Sequence, residues 1–452
     1  PGGTWVIHLD SINGPVIKTI NAVKKDGFQY VQIDFPKQTG THDIYLTYSN
    51  PNLKSENDNG LVFDWLHFTK QFPGKGKPGF EEAYNTYWSL LQAPTTTTPV
   101  MLEKPDGSRR VTNVFERGNW LVKGDQVQPG VPNSLQPLPD NAPRNRMGLA
   151  MWLTDKKNPL VARTIVNRVW EQMFGTGLVE TLEDMGTQGA SPTHVELLDY
   201  LSYQLMNEYK WSLKRLMKEI VMSATYRQDS KVSPELLEKD PYNRWYARGS
   251  RVRLSAEQVR DQSLWISGLL SEKMKGPSVF PYQPKGIWLS PYNGRAWVLS
   301  EGDEKYRRAL YTYWKRTAGY PAMLTFDAPI REVCTSRRIR TNTPLQALVT
   351  LNDESYIEMA RSFAWRMQDE GGNAVPQQIA WGYEQATYKP ASEKTVQSMM
   401  KLYNESIAHF KNDKDKTCEM VGMTGEHNNP EAAALVVVAN AMLNLDELIT
   451  KN

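Results

Sequence analysis

Apolar and polar residues alternate in four stretches of the first seventy residues. Each stretch is rich in Val, Ile, Tyr, Phe or Trp, and turn-like segments such as SINGP, KQTG and NPNLKSENDNG separate them. The four stretches are TWVIHLD (4–10), FQYVQIDF (28–35), THDIYLTYS (41–49) and GLVFDWLHF (60–68). This pattern predicts four β-strands of an antiparallel sandwich.

The periodicity changes to a helical one from residue 147 onward. N-cap residues followed by Pro at the first helical position mark helix starts at Asn158–Pro159, Ser191–Pro192, Thr343–Pro344 and Asn429–Pro430. Two capping boxes are predicted, pairing Thr343 with Gln346 and Ser255 with Gln258. Gly175 is the expected C-cap of the helix that begins at Pro159. Residues 147–452 are therefore predicted to form a mostly α-helical domain.

Between these parts, residues 71–146 are rich in Pro, Gly and Thr, which favours a loop-rich connector. Within it, residues 80–93 predict one short helix, and Asp106–Gly107 predict the turn of a short hairpin. The predicted fold class is α+β and multidomain. Its order is a partial β-sandwich of jelly-roll type over 1–70, the connector over 71–146, and the helical domain.

Composition excludes several functional classes. The 452 residues are 40% hydrophobic and carry a formal net charge of only +3, so the chain is a globular protein without the basic field of a nucleic-acid-binding protein. The sequence contains no run of 18 apolar residues, so no transmembrane helix is predicted. No CxxCH motif is present, so this segment is expected to attach no covalent haem. The pairing of Cys334 and Cys418 is left open.

The N-terminal part resembles family-six carbohydrate-binding modules. The matching stretches are IHLDSINGPVIKTI (7–20), GTHDIYLTYS (40–49) and LVFDWLHF (61–68). The resemblance implies a jelly-roll sandwich that binds a polysaccharide in its loops and often holds a structural calcium ion. Only the C-terminal half of the module is matched, so a preceding segment or a partner chain is expected to supply the missing strands.

The resemblance implies carbohydrate-binding residues at Phe28, Tyr30 and Asn59, because aromatic faces stack on sugar rings and amides bind hydroxyls. It implies a calcium ligand at Asp64. The alternatives are an ordinary sandwich core for the two aromatic residues, turn chemistry for Asn59, and a solvated carboxylate for Asp64.

A second resemblance covers about residues 110–450. The matching blocks lie at 158–201, 210–228, 326–353 and 439–450, and the third reads FDAPIREVCTSRRIRTNTPLQALVTLND. With these blocks the chain resembles the C-terminal domain of unknown function of Planctomycete-type c-type cytochrome proteins, which is also found in Bacteroidetes. This resemblance implies an extracytoplasmic, cytochrome-associated setting in the cell envelope, without an assigned activity.

That third block gathers four arginines ahead of a helix start. Arginines and free N–H groups at a helix N-terminus together suit a carboxylate, sulfate or phosphate. The predicted anion-binding residues are Arg331, Arg337, Arg338, Arg340 and Thr343. In the alternative interpretation these arginines organise the loop, paired with the nearby acids Asp327, Glu332 and Asp353.

A candidate catalytic set lies in the first helical block. Arg163, Asn167 and Glu171 fall on one helix face, and the loop LEDMGTQGASPTHVE carries Asp184 and Glu196. Carboxylates of this kind perform general acid–base chemistry on glycosidic bonds or bind a hard cation. The predicted catalytic residues are therefore Asp184, Arg163 and Glu196, and solvated surface groups are the alternative.

Two functions follow from these features. The first is a glycan-associated binding or scaffold component of a larger envelope or cytochrome-associated assembly. The alternative is a polysaccharide-acting enzyme, hydrolytic or haem-coupled, that uses a pocket of Arg, Asp and Glu. A deep pocket uniting Asp184, Arg163 and Arg340 would favour the enzyme, and salt bridges that bind each of them into the fold would favour the scaffold.

Overall fold

A computed structural model of the chain describes residues 2–23, 31–55, 60–64, 66–68, 70–93, 98, 100–104, 109–288, 296–422 and 427–451. The chain divides into two compact units, Pro1–Leu102 and Glu103–Asn452. Helices predominate and strands are few, which is consistent with the predicted α+β class. The boundary between the units falls inside the segment 71–146 that was predicted as a connector.

In its described residues, unit 1 contains a small antiparallel sheet and one helix. The sheet has the order β2-β1-β3, and the turn SINGP joins β1 to β2 through a bond from Leu9 N to Pro15 O of 3.1 Å. Ile7 and Leu9 of the central strand are buried. The elements are β1 (Gly3–Leu9), β2 (Val16–Ala22), β3 (Ile44–Ser49) and α1 (Phe80–Gln92).

The sheet differs from the predicted one in two ways. β2 was missed because its apolar residues Ile17 and Ile20 lie three positions apart and so do not alternate. Its pairing with β1 is irregular between Ile7 and His8, and both isoleucines are partly buried. The strands predicted over 28–35 and 60–68 are wrong for the residues that the structure describes there, 31–35, 60–64 and 66–68, which are not in strands. Their aromatic rings pack instead, as Phe35 and Phe68 do with centroids 5.2 Å apart.

Unit 2 begins with a two-stranded hairpin of β4 (Thr112–Phe115) and β5 (Lys123–Val127). A hairpin was predicted in this stretch with its turn at Asp106–Gly107, but the described residues beside that turn, 100–104 and 109–111, are not in strands. The observed hairpin is a different one, and its turn lies at 116–122, where Arg117 adopts a left-handed conformation before Gly118. The predicted turn at Asp106–Gly107 lies outside the described residues.

The rest of unit 2 is the predicted helical body. A short pairing of β6 (Val252–Arg253) with β7 (Thr450–Lys451) joins its middle to its end. The helices are α2 (Arg146–Leu153), α3 (Pro159–Phe174), α4 (Val195–Tyr203), α5 (Leu213–Met222), α6 (Pro234–Lys239), α7 (Ala256–Ser267), α8 (Pro321–Thr325), α9 (Pro344–Asn352), α10 (Glu354–Glu370), α11 (Val375–Thr387), α12 (Glu393–Phe410), α13 (Lys414–Val421), α14 (Pro430–Leu443) and α15 (Asp446–Ile449).

Two hydrophobic cores hold this body together. The smaller one lies among α3, α4 and α5, and the larger one lies among α7 to α15. α14 is apolar on all sides and buries most of its residues, which is the composition of a helix at the centre of a core. Its partners α10 and α12 present one apolar stripe each.

The helix caps test the predicted boundaries. Asn158 and Asn429 cap α3 and α14, the Ser255–Gln258 capping box is formed, and Gly175 ends α3 with a positive φ of 81°. Ser191–Pro192 does not begin a helix, because α4 begins only at Val195. The box predicted at Thr343 is also wrong: the Thr343 side chain caps nothing there, and Gln346 turns inward instead.

Candidate functional site

The four arginines lie in one loop, residues 327–343, which we call the arginine loop. Arg338 forms a two-pronged ion pair with Glu257 of α7, at 2.6 and 3.2 Å. Arg340 reaches the buried Glu171 of α3 at 3.4 Å, and Arg337 reaches the exposed Glu183 at 3.2 Å. The fourth, Arg331, lies over the ring of Trp314 with its guanidinium carbon 4.7 Å from the centroid.

The three ion pairs tie the arginine loop to three separate parts of unit 2, which supports a loop-organising role. Although burial opposes ionisation, the hydrogen bonds from Arg338 hold the pKa of Glu257 below its ordinary value. Asp353, one of the acids expected nearby, instead caps α10 by accepting from Ser355 N at 2.9 Å, and burial raises its pKa. Anion binding by these arginines stays a prediction.

A polar crevice lies beneath the arginine loop. Arg253, Arg338 and Arg340 line it together with Asp327 and Gln346. Its volume of about 10 Å³ is that of one water-sized space, much smaller than a sugar ring. Asp327 adopts a left-handed φ of 61°. Its carboxylate accepts from the backbone N–H of Thr341 at 2.8 Å, so the crevice is built largely from groups that satisfy one another.

The predicted catalytic residues do not meet in this crevice. Arg163 pairs with Asp199 of α4 at 2.5 Å on the surface, and Glu196 is exposed in the first turn of α4. Asp184 is exposed and accepts from Gly186 N at 2.8 Å. A Cβ at Gly189 would stand 2.0 Å from the backbone oxygen of Asp184, so this glycine serves the close packing of the loop itself.

The polar stripe on α3 points inward at two of its three positions. Asn167 is fully buried and holds the backbone of Val179 by two bonds, accepting at 2.8 Å and donating at 2.9 Å. Glu171 is buried beside Arg340. These two side chains therefore have structural partners, and only Arg163 lies at the surface.

The feature that sequence reasoning missed is the orientation of α9. This helix buries two of its three polar residues, Gln346 and Thr350, and exposes its leucines. Gln346 and Thr350 are 1% and 0% exposed, whereas Leu345 and Leu348 are 65% and 59% exposed. Leu351, one turn further on, is 40% exposed. We call these three residues the leucine face of α9.

Hydrogen bonds hold α9 in this orientation. Gln346 accepts from Arg253 Nε at 3.0 Å and donates to Thr325 O at 3.1 Å. Thr350 donates to the side-chain oxygen of Asn444 at 2.8 Å, and Asn440 donates to the backbone oxygen of Thr350 at 3.2 Å. Buried polar groups whose hydrogen bonds are satisfied specify one arrangement. The bonds that fix the orientation of α9 therefore also fix the exposure of its leucines.

The spacing of this helix gives no local sign of its orientation. Leucines at 345, 348 and 351 have the spacing of a core-facing stripe, and Gln346 and Thr350 have the spacing of a solvent face. The signal that could have shown the inversion is Arg253, whose guanidinium needs a buried acceptor, but its partner lies 93 residues away.

Other predicted positions carry less information. The predicted carbohydrate-binding residues Phe28, Tyr30 and Asn59 lie outside the described residues, and the predicted calcium ligand Asp64 is exposed. Among the residues that the structure describes, no group of three His, Cys, Asp or Glu side chains is placed to hold a metal ion. Cys334 and Cys418 are both free thiols, so they do not pair. In segment 277–297, which is rich in Trp, Tyr and Pro, Trp297 packs against Phe280 with centroids 5.0 Å apart.

Comparison with known proteins gives a family without an assigned activity. Residues 145–403 match the family described as PSD1, protein of unknown function (DUF1553). The chain belongs to this family, which confirms the expected domain of unknown function. No curated protein and no solved structure matches the chain significantly. Within the described residues, no helix is both long and apolar enough to cross a membrane.

Proposed function

We propose that this chain is a binding or scaffold component of a larger assembly, and that another protein of the assembly docks on the leucine face of α9. The observation that carries the proposal is the inverted orientation of that helix. A soluble surface rarely places neighbouring leucines outward on a helix whose polar side is fully bonded inside.

The energetics support a covered leucine face. Burying apolar surface contributes about 25 cal/mol per Å², so two or three leucines would contribute several kcal/mol to an interface. The arginine loop precedes this helix directly and is held by its own ion pairs, so the surface is preorganised, and little ordering is needed when a partner binds.

The setting of this assembly is proposed from the two resemblances. Unit 1 is proposed to be part of a jelly-roll module that binds a polysaccharide through Phe28, Tyr30 and Asn59, with a structural calcium at Asp64. A preceding segment or a partner chain would complete the sandwich. The location is proposed to be extracytoplasmic, in a bacterial periplasm or at the cell surface, in a cytochrome-associated complex.

One observation favours the enzymatic alternative. The ion pair between Arg337 and Glu183 places the loop that carries Asp184 beside the arginine loop. A polysaccharide-acting site, hydrolytic or haem-coupled, would have to open between these two loops. The binding role is favoured because the crevice holds only about one water.

Charges on the leucine face test the binding role. The variant Leu345→Glu/Leu348→Glu is expected to fold normally, because both side chains are exposed. It is expected to dissociate from the native complex, because a partner cannot desolvate two carboxylates. The matched control is Leu310→Glu, at a leucine that is also 65% exposed but lies in another part of unit 2. Sedimentation of the solubilised envelope fraction, followed by detection of the chain, gives the size of the complex.

If the double variant migrates with the complex, as the control does, the proposal is contradicted. A shift of the double variant to the size of the free chain, with the control unchanged, would support it.

The proposed binding of a polysaccharide by unit 1 needs its own experiment. Affinity electrophoresis in gels that contain sulfated or uronate polysaccharides is expected to retard the native protein, and Phe28→Ala/Tyr30→Ala to abolish the retardation. Equal migration of the native protein in gels with and without polysaccharide would contradict the proposed glycan binding. It would not affect the proposed docking of a partner on the leucine face. If calcium chelators change the retardation of the native protein but not that of Asp64→Asn, Asp64 is assigned as the calcium ligand.

A further inference from the structure

A loop of unit 1 is clasped to the end of β1, at the point where the pairing of β1 with β3 stops. The last pair of that ladder is Leu9 with Ile44, and the loop 38–43 leads into β3. Beyond this pair, Asp10 N donates to Asp43 O at 2.8 Å. The Asp10 carboxylate accepts from Asp43 N at 3.2 Å, so Asp10 holds residue 43 by its backbone and by its side chain.

The imidazole of His42 adds two contacts to this clasp. Its Nδ1 lies 3.0 Å from the nearer carboxylate oxygen of Asp10, and its Nε2 lies 2.9 Å from Thr39 O. An ionised carboxylate and a backbone carbonyl only accept hydrogen bonds, whereas a neutral imidazole carries a single N–H. Both contacts are therefore hydrogen bonds only when both ring nitrogens carry a proton, which is the imidazolium form.

The backbone on each side of the ring is turned to make these contacts. Gly40 has a φ of 98°, a conformation that favours glycine, and it reverses the chain between Thr39 and His42. Asp10 is left-handed as well, with a φ of 63°, which aspartate tolerates better than most residues do. The two turns place an acceptor on each side of the His42 ring.

The electrostatic environment of His42 agrees with this geometry. Donating to Asp10, and to a smaller extent to Thr39 O, raises the pKa of His42 above its ordinary value, and the same contact lowers the pKa of Asp10. The charged residues on the segments that meet here are Asp10 at the end of β1, Asp43 ahead of β3, and Lys37 just before the loop. The side chains of His42 and Asp10 are 30% and 58% exposed, so both exchange protons with solvent directly.

We propose that His42 and Asp10 form a pH-sensitive latch that holds the loop 38–43 on the end of β1 while His42 is protonated. When the imidazolium loses its proton, one ring nitrogen presents a lone pair to an acceptor, and the ion pair with Asp10 is lost. The loop then keeps only its backbone attachment to Asp10. The latch belongs to unit 1, so it is independent of the proposed docking of a partner at α9.

The two shifted groups define the pH range in which the latch is closed. A histidine whose pKa is raised on folding stabilises the fold at low pH and ceases to do so as the pH rises through the raised pKa. A carboxylate whose pKa is lowered stabilises the fold above its ordinary pKa and ceases to do so as the pH falls through the lowered pKa. The latch is therefore closed from below pH 3.8 to above pH 6.5, which are the ordinary pKa values of Asp10 and His42, and it opens at alkaline pH.

Titration of His42 in the full chain tests the latch. The protein is labelled with isotopically enriched histidine for NMR, and the signal of His42 is assigned by its absence in His42→Gln. We expect His42 to titrate above 6.5 in the native protein and closer to 6.5 in Asp10→Asn, which keeps an acceptor oxygen but removes the charge. The same titration of His42 in both proteins would overturn the proposal.

Hydrogen exchange shows whether the loop follows this titration. Exchange in peptides that cover 38–43 is compared between His42→Gln and the native protein at about pH 6 and about pH 9, because the ratio of the two rates cancels the intrinsic effect of pH. We expect His42→Gln to exchange about two- to fivefold faster at the lower pH, the effect of an exposed ion pair, and equally fast at the higher pH. The matched control His67→Gln, at an exposed histidine of the same unit, should exchange like the native protein at both. A ratio that is the same at both pH values would mean that protonation of His42 does not hold the loop, and would overturn the proposal.

Discussion

Replacing Gln346 by Leu is expected to lower the free energy of unfolding of unit 2 by about 2–4 kcal/mol, although Leu is the better helix former. Gln346 is 1% exposed and connects Arg253 to the backbone oxygen of Thr325. The variant would leave the Arg253 guanidinium and the Thr325 oxygen without this partner, and a buried donor or acceptor that loses its partner costs its full desolvation energy. Urea denaturation followed by far-UV circular dichroism measures the change.

The matched control for this prediction is the neighbouring exposed position, Leu345→Gln. That change is expected to stay within about 0.5 kcal/mol, because a substitution on the surface removes no packing. If Gln346→Leu were as stable as the native protein and Leu345→Gln were not, the leucines would be the core-facing residues and the orientation of α9 would be wrong.

Replacing Arg307 by Met is expected to destabilise unit 2 by about 3–5 kcal/mol. Arg307 is fully buried, donates to the backbone oxygens of Lys273 and Pro277 at 3.1 and 3.2 Å, and lies 3.7 Å from the ring centroid of Tyr311. Methionine fills part of the volume but leaves those carbonyls without a donor.

The control is the next residue along the chain. Arg308→Met removes a half-exposed guanidinium that pairs with Asp261 at 3.3 Å, and a surface pair of this kind contributes at most about 1 kcal/mol. Denaturation curves of the two variants give the difference. Hydrogen exchange should also rise in segment 273–279 for Arg307→Met alone. Equal stability of the two variants would mean that Arg307 does not hold that segment.

The helical body was predictable because its signals are local. Asn158 and Asn429 each bond to backbone N–H groups within three residues, and the Ser255–Gln258 box closes on itself. Such patterns depend only on residues that are close together in the sequence.

The candidate site was less predictable because its partners are distant. In the alternative interpretation the arginines paired with the nearby acids Asp327, Glu332 and Asp353, yet their partners at Glu171, Glu183 and Glu257 are 81 to 169 residues away in sequence. The orientation of α9 depends on Arg253 in the same way. β2 was missed for a local reason, since its apolar residues do not alternate, although the turn before it implied a second strand.

The most direct measurement of the central claim is the accessibility of Leu348 inside and outside the native assembly. Leu348→Cys is made in a Cys334→Ser/Cys418→Ser background, and a maleimide is applied to intact envelope preparations and to the purified protein. Leu310→Cys is the control. We expect position 348 to be protected in the assembly and labelled in the purified protein, with position 310 labelled equally in both. Equal labelling of position 348 in both preparations would contradict a partner on the leucine face.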